Sequence, residues 1–217
     1  HAGFETFLIG NIGIPALEYI ETGTADSVFV LELLSYQLEG LCHSPHIAVL
    51  LNIFPEHLNY HSSIANYVAT KRNITAYQSR DDLFIWNAGS RLCAEIAAQT
   101  LAKSVPFNIS GSVPGGYFVQ DDEIAGYNGE AIDRLCRVES VALPGRFNLN
   151  NVLAAIGVAR HFDVDSERIE SAVRAFEQLE HRFEFVGVFK DITFYNASLS
   201  TVPEVTIAHL DTLGDAV

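Results

Sequence analysis

Cysteine is scarce and scattered. Cys42, Cys93 and Cys136 are odd in number and form no CxxC pair, which argues against a disulfide framework and against a zinc site of adjacent thiols. Long apolar runs are missing too. No stretch approaches the roughly 20 residues that a membrane-spanning helix needs. The opening HAGFETFLIG lacks the basic region and long apolar core of a secretory leader. Basic charge is short: 13 Lys and Arg stand against 27 Asp and Glu, a formal net charge of −14. A nucleic-acid surface needs clustered cations, so that partner class is not expected. Repeats, low-complexity tracts and flexible linkers are absent as well. These absences predict a globular protein of a reducing, cytosolic compartment. An anionic small ligand stays compatible with the charge, because backbone N–H groups and a metal can hold phosphate without side-chain cations.

What is present is an alternation. The 217 residues, 48% hydrophobic, suffice for one large domain or one and a half ordinary ones. TFLIG (6–10) reads as a strand and PALEYI as a short helix opening on Pro15. SVFVLEL (27–33) and HIAVLLNI (46–53) read as near-continuous apolar strands, the pattern of a sheet covered on both faces. A helix is predicted from about Ser62, then the strand DLFIW (82–86), then the helix RLCAEIAAQTLA. From about Ser104 to Val141 the pattern breaks into short strands and hairpins at one edge. NLNNVLAAIGVARHF (148–162) and SERIESAVRAFEQL (166–179) are amphipathic helices; DITFYNAS (191–198) is a further strand, followed by a helix from about Pro203. Alternating strands and helices predict an α/β fold with a mostly parallel sheet flanked by helices.

Ligands of such sheets sit beyond the carboxyl ends of the strands. That rule selects Asn11 after the first strand, Glu32 at the end of the second and His57 just past the third. Each has a plain structural reading: a turn residue, a carboxylate at the sheet rim, a turn cap. The stretch NIFPEHLNYHSSIANYVATKRNI (52–74) adds an anomaly. Ile64, Tyr67, Val68 and Ile74 form one apolar helical stripe, and Lys71 falls on it. A lysine so placed usually snorkels to solvent. A carboxylate and an imidazole at neighbouring strand ends also make a site for Mg²⁺ or Mn²⁺. Burial lowers the charge of a lysine, and a neutral amine can take up CO₂ as a carbamate, an anionic oxygen ligand. On that reading Glu32, His57 and Lys71 converge on one cation.

The order GNIGIPAL, VLELLSYQLEG, LLNIFPEHLNYH…YVATKRNI, LPGRFNLNNVLAAIGVA and LEHRFEFVG…FYNASLST resembles the Mur ligases over nearly the whole chain. The resemblance implies a central ATPase-type domain over residues 1–180, lacking its phosphate-loop segment, and the start of a second Rossmann-like α/β domain over 181–217. It also implies an ATP-dependent carboxylate–amine ligase of peptidoglycan precursor synthesis, acting through an acyl phosphate. The implied cofactors are ATP and Mg²⁺ or Mn²⁺, and the implied substrates UDP-N-acetylmuramoyl-L-alanine and D-glutamate. By position, Glu32, His57 and Lys71 (as its carbamate) are the implied catalytic and metal-holding residues. Asn11, Ser35 and Gln37 are the implied substrate-binding residues, and Asn148, Asn151 and Arg182 the nucleotide-binding ones. For Asn148 the alternative is capping of the helix it opens.

The chain departs from the family pattern in four ways. It holds no GxxxxGK[ST] to cradle phosphate, and the third domain only begins here. The family's NDSKAT reads Asn196-Ala197-Ser198-Leu199-Ser200-Thr201, so Ala197 replaces an acid and Leu199 a lysine. Leu34 stands at a usual serine, and Asn59 at the second aspartate of DHLD. The first two departures lead to the expectation of a fragment, inactive alone. The others keep open a degenerate, non-catalytic sugar-nucleotide-binding or scaffolding module. A folate polyglutamylating ligase is a third reading, against which GNIG and LELLSYQLEG argue.

Overall fold

Two apolar runs with turn signals on both sides, IAVL and LFIWN, form the buried heart of the sheet. The computed structural model describes residues 3–11, 14–19 and 21–214. Ile12, Gly13 and Ile20, inside the quoted GNIG and PALEYI stretches, lie outside the described residues. The strands are β1 Thr6–Gly10, β2 Val28–Glu32, β3 Ile47–Leu50, β4 Leu83–Asn87, β5 Lys103–Asn108, β6 Tyr117–Gln120, β7 Glu123–Tyr127, β8 Ile132–Arg137, β9 Glu184–Phe189 and β10 Ile192–Asn196. The α-helices are α1 Ser35–Leu38, α2 Leu58–His61, α3 Ile64–Ala76, α4 Arg91–Ala97, α5 Asn148–His161, α6 Ser166–Ala175 and α7 Pro203–Leu213. PALEYI forms a single 3₁₀ turn, Ala16–Tyr19, with no buried side chain.

One sheet runs β3-β4-β5-β6-β7-β8. Its pairs are parallel from β3 to β6 and antiparallel from β6 to β8, so the broken stretch after Ser104 does supply an antiparallel edge. α5 lies on one face, where Leu149, Val152, Leu153 and Ile156 pack with Ile85, Phe107 and Ile124. On the other face Phe84 and Ala48 pack with Tyr67 of α3 and with Cys93 and Ile96 of α4. Both faces of β4 are therefore covered, which its unbroken apolar run requires. Gly116 fits here because a Cβ would come within 2.0 Å of the Pro106 carbonyl oxygen.

The helix predicted from Ser62 begins two residues later, at Ile64. Ser63 caps α3 by accepting a hydrogen bond from the Asn66 N–H at 3.1 Å. α4 ends at Ala97, short of the predicted 12 residues, as the chain turns into β5.

Two differences from the expectation stand out. β2 is not covered on both faces: it pairs only with β1, in a separate two-stranded parallel sheet, and Phe29, Val30 and Leu31 are exposed. Its apolar run instead walls cavities. Second, the strand expected at 191–198 is one arm of an antiparallel hairpin, β9–β10, whose first arm was not foreseen. β9 carries a register shift and Gly187 at positive φ, features that interrupt a period-2 pattern.

Candidate functional site between the strand ends and two helices

β1 and β2 end side by side, with Gly10 opposite Glu32. Gly10 has φ +102°, and a Cβ there would meet the Glu32 carbonyl oxygen at 2.5 Å, so the close approach needs glycine. That carbonyl accepts from the Asn11 N–H at 2.9 Å, and the Asn11 amide reaches Glu32 Oε1 at 3.5 Å. Glu32 Oε2 is buried with no hydrogen-bond partner among the described residues. A carboxylate oxygen in that condition is costly unless a cation or donor reaches it.

The oxygen belongs to a cavity of about 600 Å³. Glu32, Asn52, Lys71, Asn148, Asn151, Gln178 and Arg182 supply its polar lining, and Leu31, Leu50, Ile74 and Phe176 much of the rest. Lys71 does sit on the inward side of α3. Burial holds its pKa below the usual lysine value, while Glu56 and Glu32 act in the opposite direction. Its ammonium lies 5.8 Å from the Tyr67 ring centre, one turn back on α3. Burial and the two carboxylates thus act on the amine in opposite directions, with burial the larger.

The asparagines at the start of α5 hold one another. Asn151 Nδ2 donates to Asn148 Oδ1 at 3.0 Å, and Asn148 Nδ2 donates to the Pro144 carbonyl at 2.7 Å. Asn148 is thus inside the helix; the cap position is Phe147, with no side-chain cap bond. The segment carrying Arg182 is pinned by Gln178, whose amide donates to the carbonyls of Arg182 at 2.6 Å and Phe183 at 2.7 Å.

The structure thus brings Glu32, Lys71, Asn148, Asn151 and Arg182 to one cavity, with Asn11 against Glu32. It does not bring His57 into the lining. His57 is in the left-handed region at φ 54°, its Nε2 is 3.9 Å from Glu56 Oε2, and its ring lies 5.1 Å from that of Tyr36. Among the described residues no three His, Cys, Asp or Glu side chains form a cation site. Gln37 turns back to accept from the Leu34 N–H at 2.7 Å. Ser35 is buried, its hydroxyl 2.9 Å from His61 Nε2.

The donor set suits a hard dication where it is oxygen: the orphaned Glu32 oxygen and the amide oxygens around it. The Lys71 amine fits such an ion only in a form without positive charge. Sequence reasoning missed Asn52, Glu56, His61 and Gln178. Asn52 was legible, since it ends the apolar run of β3 as Asn11 ends that of β1. The other three carry no sequence signal of their own.

This fold carries a largely apolar cavity, with a few convergent polar groups, at the carboxyl ends of parallel strands, the mark of the α/β ligand-binding class. The family model described as Mur ligase middle domain matches residues 10–159, and the chain belongs to the Mur ligase family. It is 38% identical over 214 residues to the UDP-N-acetylmuramoylalanine--D-glutamate ligase of Halalkalibacterium halodurans, covering 98% of this chain and 47% of that protein. MurF from Acinetobacter baumannii has a similar fold, with TM-score 0.71 at 15% identity over 99% of this chain and 55% of that one. So does MurF ligase from Thermotoga maritima, whose structure is a complex with ADP, with TM-score 0.65 at 16% identity over 97% of this chain and 51% of that one. The chain spans about half the length of the curated relative it matches.

Proposed function

We propose that this chain is the central part, with the start of the C-terminal domain, of an ATP-dependent carboxylate–amine ligase that adds D-glutamate to UDP-N-acetylmuramoyl-L-alanine. One observation carries the reading: a single cavity gathers a buried carboxylate oxygen with no partner among the described residues, a partly buried lysine, paired asparagines and an arginine. Its place in the cell is then the cytosol, and residues 181–217 open the second domain. The detached β9–β10 hairpin supports that boundary.

The chemistry follows from charge. Forming an acyl phosphate requires a carboxylate and a polyphosphate, both anionic, to approach each other. Arg182 and the α5 asparagines face the nucleotide: the guanidinium offsets phosphate charge, and the neutral amides grip base or ribose. Asn11 orients the muramoyl substrate beside Glu32. Mg²⁺ or Mn²⁺, when bound, offsets the charge accumulating on the transferring oxygens. Glu32 and the Lys71 carbamate would hold it, with His57 completing the set after its side chain leaves Glu56. The phosphate-cradling loop is not in this sequence, so the isolated chain is expected to release no phosphate with ATP, UDP-N-acetylmuramoyl-L-alanine and D-glutamate.

A second reading draws on Ala197 and Leu199. The Leu199 side chain is half exposed and its N–H donates to the His181 carbonyl at 3.2 Å, so neither residue offers a charge. A module that binds the sugar nucleotide without ATP chemistry would look like this. Calorimetry with UDP-N-acetylmuramoyl-L-alanine, with and without Mg²⁺, and intact mass under CO₂ separate the two. Mg²⁺-dependent binding with a CO₂-sized adduct at Lys71 supports the ligase; metal-independent binding to an unmodified chain supports the module. Absence of binding in both conditions overturns both and leaves only a scaffolding module.

A further inference from the structure

Ser35 stands where the resemblance implies substrate contact, yet it is 2% exposed. Its hydroxyl lies 2.9 Å from Nε2 of His61, itself 6% exposed. A buried, mutually satisfied pair of this kind fixes the elements it joins. Of these elements, α1 lends Leu38 to the cavity lining and follows Glu32 in the chain, while α2 packs behind it. Ser35 opens α1 three residues after Glu32, and His61 closes α2 four residues after His57. The His61 carbonyl accepts from Asn66 Nδ2 of α3 at 3.0 Å.

The imidazole is flanked by three aromatic rings. It stacks on Tyr36 at 5.7 Å and 16°, meets Tyr60 edge-on at 4.9 Å, and leans on Tyr67 at 5.3 Å. Tyr67 in turn lies beneath the Lys71 amine. At the far end of α1, Asn73 of α3 donates to the Leu38 carbonyl at 2.9 Å. Helix α1 is therefore tied to α3 at both ends, directly by Asn73 at one and through His61 of α2, held by Asn66, at the other. Glu32 leads into the first end, and Lys71 lies on α3 between Tyr67 and Asn73.

We infer that His61, acting through Ser35, is a positioning residue that sets Glu32 against Lys71. On this inference both side chains, buried as they are, act behind the site and not on the substrate. The inference rests on the reading that Glu32 and Lys71 hold a divalent cation. Its signature is a loss of cation affinity that tracks the Ser35–His61 hydrogen bond rather than overall stability.

The probe is Mn²⁺ alone, in bicarbonate buffer, followed by electron paramagnetic resonance on the 217-residue chain, with folding checked by circular dichroism. His61→Phe keeps the ring and removes the nitrogen; Ser35→Ala removes the hydroxyl; His61→Gln restores a polar group of similar reach. Expected are a roughly 10–100-fold weaker Kd for His61→Phe and for Ser35→Ala, no further loss in the double variant, and recovery in His61→Gln. A Kd unchanged in folded His61→Phe overturns the positioning role alone. So does His61→Gln falling as far as His61→Phe. Wild-type protein that binds no Mn²⁺, or whose binding Glu32→Gln leaves intact, overturns the cation reading and this inference with it.

Discussion

Thr201 Oγ1 donates a 2.7 Å hydrogen bond to Glu56 Oε1 across 145 residues of sequence. Glu56 also faces His57 at 3.9 Å and sustains the charge of Lys71. One carboxylate thus joins the segment leading into α7 to the residues around the cavity.

Thr201→Val removes the donor at nearly constant shape. Expected is a loss of about 0.5–1.5 kcal/mol in urea unfolding, with faster amide exchange over residues 197–205. Unchanged exchange there would mean that the contact does not hold the segment.

Lys71 gives stability a slope at alkaline pH. Its folded pKa lies below the ordinary 10.5 because of burial, so between the two values the unfolded chain binds more protons. Stability therefore rises with pH through that interval and levels off above 10.5. Lys71→Met should flatten this part of the profile, measured by denaturation in CO₂-free buffer from pH 8 upward.

His209 works at the acid end. It is buried in α7, its ring stacks on Phe183 at 4.5 Å and meets Phe147 at 5.1 Å, and its Nδ1 is 3.3 Å from Ser200 Oγ. Burial lowers its pKa from 6.5. The sign is a penalty on protonation: stability is lost as pH falls through 6.5 toward the folded value. His209→Phe should remove that loss, read as a thermal midpoint that no longer drops between pH 7 and 5.

The cysteines should separate by rate. Cys42 is exposed, whereas burial raises the thiols of Cys93 and Cys136, the latter up to about 11. One thiol per native chain should react rapidly with a disulfide reagent at pH 8, and Cys42→Ser should abolish it. Three fast thiols would show the two packed cores opening.

Much of this was legible in the sequence, for physical reasons. TFLIG forms β1 over the residues read, because Gly10 both ends the apolar run and permits the positive φ. Lys71 was visible because one ammonium on an apolar helical stripe breaks the pattern. β9 was not visible: most of its residues are exposed and Gly187 interrupts the alternation. The exposure of β2 was hidden as well, since an apolar run reports what a strand is built to bury and not which neighbour covers it. His61 escaped because its role is set by Ser35, 26 positions away. His57 drew notice from its place after a strand, and only coordinates reveal that its ring turns toward Glu56 and Tyr36.

The pairing of Gly10 with Glu32 has a chemical consequence. Side chains alternate sides along a strand, so a slip of one residue between β1 and β2 would swing the acid to the opposite surface. Two short strands, by holding their alignment, decide whether the pocket has an anion at all.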